Sequence, residues 1–265
     1  MKKFLGIFFA VVLLFSITAC NGLEKFHQYD AADIFKDIEK TVEQISASAS
    51  IDENTTQYKE VFENFADTTS NSTTSISIPD FSGQEVITLN NDEPFFTEEE
   101  KVYNGTYIKL SELDTLGRCG VASACVGIET EPTVEREDIS HVHPSGWNQM
   151  QLDNEKWLYN RSHLLMYALT GLNDDERNLI TGTEHFNQEL MLSYETNVKW
   201  VVDNYNAHVL YRVTPIYDNN NLVAKGVLME AYCIEYPEEC TFCVFVYNVE
   251  PGVNIDYSTG NAEII

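Results

Sequence analysis

Lys156-Trp-Leu-Tyr-Asn-Arg-Ser-His163-Leu-Leu165 is followed by Glu176-Arg-Asn178-Leu-Ile-Thr-Gly-Thr-Glu-His-Phe-Asn187, and then by Met191-Leu-Ser-Tyr-Glu195. The first segment reads as a short extended stretch ending in a histidine. Gly171-Leu-Asn-Asp-Asp-Glu176 reads as a loop. Residues 186–204 form the strongest helix candidate, because Leu190, Tyr194, Val198, Val201 and Val202 recur at helical spacing. Two alignments follow. Arg161 and His163, two apart on an extended strand, point to one side. Asn187 and Glu195, about two helical turns apart, share a helix face.

Around this unit, Val86-Ile-Thr-Leu89 is strand-like and Asn90-Asn-Asp-Glu-Pro94 is turn chemistry. Residues 208–217 and 222–232 flank Asp218-Asn-Asn-Asn221 as a hairpin, and 242–249 adds a strand. The class is α+β: a central antiparallel sheet with flanking helices. Ahead of it, Ile34, Phe35, Ile38, Val42 and Ile45 mark a helical stalk or accessory segment over 21–67, and the polar stretch 68–77 is a linker.

Met1-Lys-Lys3 and the apolar run 4–17 read as a signal peptide too short to span a bilayer. Ile17-Thr-Ala-Cys20 fits a bacterial lipobox, so Cys20 is expected to carry lipid. The mature protein would then be tethered to the cell membrane on its extracytoplasmic side, or released from it. The 265 residues carry a net charge of −26, and residues 101–265 hold ten Lys and Arg against 24 Asp and Glu. That balance is unusual for a binder of phosphates and points to weak, salt-sensitive substrate binding.

Five blocks carry a family resemblance: Asn160-Arg-Ser-His163 with Asn178, Asn187 and Glu195 at set intervals; Ile78-Pro-Asp-Phe-Ser-Gly-Gln84; Leu116-Gly-Arg-Cys-Gly120; Pro144-Ser-Gly-Trp147; and Val246-Tyr-Asn-Val-Glu-Pro-Gly252. In this order they resemble the ββα-metal (His-Me finger) DNA/RNA non-specific endonucleases, over roughly 78–265. The likeness is to the streptococcal surface and DNA-entry enzymes, whose motif has an N-R-S-H variant.

The resemblance implies a ββα active-site motif and metal-dependent hydrolysis of DNA, and of RNA, without sequence specificity, leaving 5′-phosphate ends. His163 would be the general base, its tautomer fixed by a backbone carbonyl. Asn187 would hold one Mg2+, or Mn2+ in its place; a neutral ligand suffices where phosphate supplies the negative charge. Arg161 could present a fork to phosphate oxygens. Arg136 would add a second phosphate contact, Asn178 would help shape the metal and phosphate site, and Glu195 would orient metal-bound waters. No protein partner is implied. Asn160 and Ser162 replace the Asp and Gly of the commoner D-R-G-H form.

Two rival readings from other classes are a catalytically retired surface lipoprotein, which the acidity would suit, and a toxin-type nuclease. His141-Val-His143 has ligand-like spacing on a strand and Cys240-Thr-Phe-Cys243 resembles half a zinc site. In an extracytoplasmic chain, though, Cys119, Cys125, Cys233, Cys240 and Cys243 are expected to form disulfides with one thiol left over; Cys119 and Cys125 could pair locally, as could two of the last three, and the sequence does not set the connectivity.

Overall fold

The computed structural model describes residues 78–152 and 156–265; the expected signal peptide, Cys20 lipidation, stalk and linker lie outside the described residues. Six strands form one antiparallel sheet in the order β1-β8-β7-β6-β3-β2. They are β1 (Val86–Thr88), β2 (Tyr107–Leu110), β3 (Ala122–Val126), β6 (Val209–Ile216), β7 (Gly226–Cys233) and β8 (Thr241–Tyr247). β6 and β7 are the expected hairpin, with Val209 opposite Cys233 and Ile216 opposite Gly226.

Alternation along these strands makes two faces. Val209, Tyr211 and Val213 of β6, Val227, Met229 and Ala231 of β7, and Val244 and Val246 of β8 face the main core. There they meet Val198, Val201 and Val202 of α2 (Leu192–Tyr205), each fully buried. Burying one such aliphatic side chain contributes about 1.5–3 kcal/mol.

The other face carries two smaller clusters, one around Leu228 and Phe245 and one around Leu210 and Phe96. Arg212 and Glu230 are opposite each other on this face and pair through two bonds of 2.7 Å. The Phe95 N–H donates to Glu230 at 2.8 Å, and the Arg212 guanidinium lies over the Phe96 ring. Glu230 is 1% exposed. Breaking such a buried pair from one side costs about 3–5 kcal/mol.

The ββα unit sits on the main-core side. β4 (Tyr159–His163) pairs antiparallel with β5 (Leu179–Thr183), His163 facing Leu179. Between them lie α1 (Tyr167–Thr170) and the expected loop. Gly182 is required by close approach: a Cβ there would lie 2.2 Å from Ser162 Oγ. Fully buried Asn248, just after β8, ties this hairpin to the sheet. Its Nδ2 donates to the Thr181 and Ala224 carbonyls, and its Oδ1 accepts from the Thr183 N–H. The hairpin β9 (Val253–Asp256)–β10 (Asn261–Ile264) completes the fold, and Tyr159 Oη donates to the Gly260 carbonyl at 3.0 Å.

The helix expected over 186–204 is present, with Phe186–Met191 as π-helix and Leu192 onward as α. Two other expectations are corrected. His141 and His143 stand in a turn region, not on a strand. The five described cysteines are buried free thiols. Cys119 and Cys125 belong to clusters on opposite faces of the sheet, as do Cys240 and Cys243. Cys233 and Cys240 are cross-strand neighbours, joined by an N–H to carbonyl bond of 2.8 Å, and both remain thiols.

Candidate active site

The ββα unit opens onto a cleft of about 480 Å3, lined by Arg136, Asn160, Arg161, His163, Asn187 and Glu195 among others. Alternation in β4 sends Arg161 and His163 to it. The helix brings the other two, and its π segment matters. Eight residues make about 2.2 turns of α-helix. The i→i+5 closure takes more residues per turn, so the interval from Asn187 to Glu195 comes nearer two whole turns. Both side chains therefore reach the same cleft.

His163 is 7% exposed. Its Nε2 lies 2.9 Å from the Asn173 carbonyl oxygen, to which it donates. The carbonyl sits in the 171–176 loop, which sequence marks only as a loop. Burial, and the positive charge of Arg136, hold the imidazole below the ordinary histidine range, against the opposing pull of the Asn173 carbonyl. The neutral ring with Nε2 protonated leaves Nδ1 as the free base. Nδ1 lies 3.5 Å from Arg136 Nη2.

The two arginines both line the cleft but differ in their partners. Arg161 Nε donates to the Val142 carbonyl and Nη2 to the Ser140 carbonyl. Its guanidinium stacks 4.3 Å above the Trp147 ring. The phosphate fork expected of Arg161 is thus spent on the 140–147 segment, leaving Nη1. Arg136 is exposed, and among the described residues its guanidinium has no carboxylate partner; it touches only His163 Nδ1. It is the better placed anion donor.

Asn178 is fully buried and does not line the cleft. Its Oδ1 accepts from the Leu165 N–H and its Nδ2 donates to the Leu165 carbonyl, both at 2.9 Å, while the Leu164 N–H donates to its main-chain oxygen. It clamps the turn that leaves His163.

Asn187 and Glu195 are different in kind. Neither side chain has a hydrogen-bond partner among the described residues, although Glu195 is 6% exposed and burial pushes its carboxyl up to about 8. A buried carboxyl and a carboxamide aimed into one polar cleft, both without protein partners, suit a hydrated divalent cation. Mg2+ takes few direct protein ligands and keeps its waters. Among the described residues no three His, Cys, Asp or Glu side chains gather as a metal cage, so neither His141/His143 nor Cys240/Cys243 makes a closed zinc site.

Sequence reasoning expected a backbone carbonyl on His163 but not that it comes from Asn173, and it missed the Ser140 and Val142 carbonyls, since any residue can supply one. It also missed the use of Trp147 as a platform for Arg161, for which the Pro144–Trp147 block was the available hint.

The fold is similar to that of the nuclease NucA from Streptococcus agalactiae, solved with a magnesium ion bound and with no metal bound. Identity is 26%, over 71% of this chain and 90% of NucA, with TM-scores of 0.62 and 0.60. It is also similar to the Sda1 nuclease solved with a bound zinc ion: 25% identity over 59% of this chain and 81% of Sda1, TM-score 0.51. Residues 98–233, half of the chain, match the model of the DNA/RNA non-specific endonucleases. The chain belongs to that family.

Proposed function

We propose that this protein is a metal-dependent, sequence-non-specific endonuclease that hydrolyses DNA and RNA phosphodiesters outside the cytoplasm, using Mg2+ or another divalent cation. The observation that carries the reading is the convergence of His163 and Asn187, with Arg136 and Glu195, on one cleft. Structures of similar nucleases containing magnesium or zinc support a divalent ion.

In this mechanism His163 Nδ1 takes a proton from the attacking water, while the Asn173 carbonyl holds the ring by its Nε2–H. Ionisation of the ring is then stabilised by that carbonyl. Arg136, beside Nδ1, donates to a phosphate oxygen and orients the phosphorus toward the water. Asn187 would supply the direct protein ligand to a divalent cation, and Glu195 would accept hydrogen bonds from water around it. The chemistry such a cation would supply there is neutralisation of phosphate charge and stabilisation of the departing oxygen. Asn178 and Arg161 act at one remove, fixing the turns on either side of the cleft. Little base readout is expected, since phosphate contacts position a substrate without identifying its sequence. The extracytoplasmic location rests on the signal-peptide and lipobox pattern at 1–20.

The test is nicking of supercoiled plasmid and cleavage of single-stranded RNA, with Mg2+ and with EDTA. Wild type should cut only with metal, and His163→Ala should fold normally and not cut. A wild type inert on both substrates with Mg2+, Mn2+ or Zn2+ would contradict the proposal and favour a retired binding protein.

A further inference from the structure

We infer that the enzyme engages its substrate at essentially one phosphodiester, with no cationic track for flanking phosphates among the described residues. It is therefore a short-footprint, salt-tolerant nuclease that takes short oligonucleotides about as readily as polymers. The inference rests on the nuclease reading above and concerns its substrate.

Residues 78–265 hold ten Lys and Arg against 31 Asp and Glu. Seven of the ten donate to a carboxylate at 2.5–2.8 Å. Apart from Arg161 itself, they include every cation close in sequence to the site's hairpin and helix: Lys156 on Glu184, Arg177 on Asp175, and Lys199 on Asp203. Such pairs contribute little to stability at a surface, but they cancel the charge a phosphate would otherwise meet.

Three cations remain. Lys109 lies over the Tyr107 ring. It alternates with Ile108 and Leu110, which pack toward the main core, so it stands on the face of the sheet away from α2 and the cleft. The other two are Arg136 and Arg161, and both line the cleft. Next to them the chain is acidic: Glu135, Glu137 and Asp138 are exposed and adjacent in sequence to Arg136, and Asp174 is exposed in the loop that holds His163.

A polymer laid through this cleft would have its central phosphate neutralised and its neighbours repelled. Counterion release scales with the number of phosphates neutralised, at about −0.7 per contact for single strands. Two cations therefore set a slope of log(kcat/KM) against log[salt] no steeper than about −2. Like-charge repulsion between acidic protein and polyanion, screened as salt rises, flattens it further. The expected dependence is thus shallow, where the bulk acidity alone suggested weak and steep.

The experiment measures kcat/KM per bond for a trinucleotide and for a long single strand, using the full mature chain at fixed Mg2+ over a tenfold range of NaCl. The expected result is agreement within about tenfold between the two substrates, with slopes shallower than about −2 for both. A long-strand preference of about a hundredfold or more, or a slope steeper than that limit, would overturn the inference while leaving the nuclease assignment intact. Absence of cleavage of either substrate would instead refute the nuclease reading, and this one with it. The double variant Glu135→Lys/Glu137→Lys adds two cations beside Arg136. It should raise kcat/KM on the long strand and steepen its slope by one to two units. An unchanged slope would mean that flanking phosphates pass elsewhere, which also overturns the inference.

Discussion

Replacing Asn178 by alanine separates a residue that clamps the fold from one that touches the cation. The carboxamide makes two 2.9 Å bonds to the main chain of Leu165, and both residues are fully buried. Alanine leaves a buried N–H and a buried carbonyl unpaired, at about 1–3 kcal/mol each, so about 2–6 kcal/mol together. For a domain of this size the melting temperature should fall on the order of 10 °C. Asn178→Asp keeps an acceptor for the Leu165 N–H but sets a carboxylate against the Leu165 carbonyl, and should be no more stable. Because the clamp holds the turn that leaves His163, turnover should fall as well. The Mg2+ concentration for half-maximal cleavage should change by less than about twofold, since Asn178 does not reach the cleft. Thermal unfolding in EDTA and a Mg2+ titration of plasmid cleavage give the two readouts. An unchanged melting temperature with a large rise in the Mg2+ requirement would refute the clamp and return Asn178 to the metal site.

The arginines should part in the same pair of assays. Arg136→Ala should leave stability unchanged and lower kcat/KM by about a hundredfold, the scale for losing one donor to developing charge. Arg161→Lys cannot reproduce two carbonyl bonds and a ring stack, so it should lose stability and activity together. Wild-type cleavage by Arg136→Ala, with a stable but inactive Arg161→Lys, would reverse the assignment. For Glu195 the sign follows from a folded-state pKa of about 8, raised by burial from 4.5. Its protonated form is favoured in the fold, so the associated stability is fully present below 4.5 and is lost as pH climbs toward 8. At about 1.4 kcal/mol per unit, the loss is a few kcal/mol at most. In EDTA, Glu195→Gln should therefore gain stability over wild type progressively across that window, and Mg2+ should narrow the gap. Parallel stability–pH curves for the two proteins would exclude the buried, ionising carboxyl.

Much of this architecture was readable from residue order. β6, β7 and β8 announced themselves by alternation and by the Asp218–Asn221 turn, and the helix by its valine stripe. The placing of Arg161 and His163 on one side needed only the two-residue period of a strand. The positions whose settings were not legible are those whose contacts depend on partners far along the chain. Nothing near Arg161 indicates that the carbonyls of Ser140 and Val142 will occupy its fork, some twenty residues away. Asn178 keeps the interval expected of a site residue while spending both amide atoms on Leu165. The cysteines were read by compartment, but pairing depends on which face of the sheet each occupies, and a count of residues carries no faces. The π segment has no sequence mark of its own, yet it aligns Asn187 with Glu195.

The central claim is that one imidazole and one carboxamide share a cation-binding cleft. Crystals of the protein soaked in Mn2+ and recorded at an energy where manganese scatters anomalously would test it most directly. The account predicts a single strong peak next to Asn187 Oδ1, on the side facing His163 Nδ1 and Glu195, and its loss in Asn187→Ala. A peak only among the exposed carboxylates, or one that survives in Asn187→Ala, would contradict it.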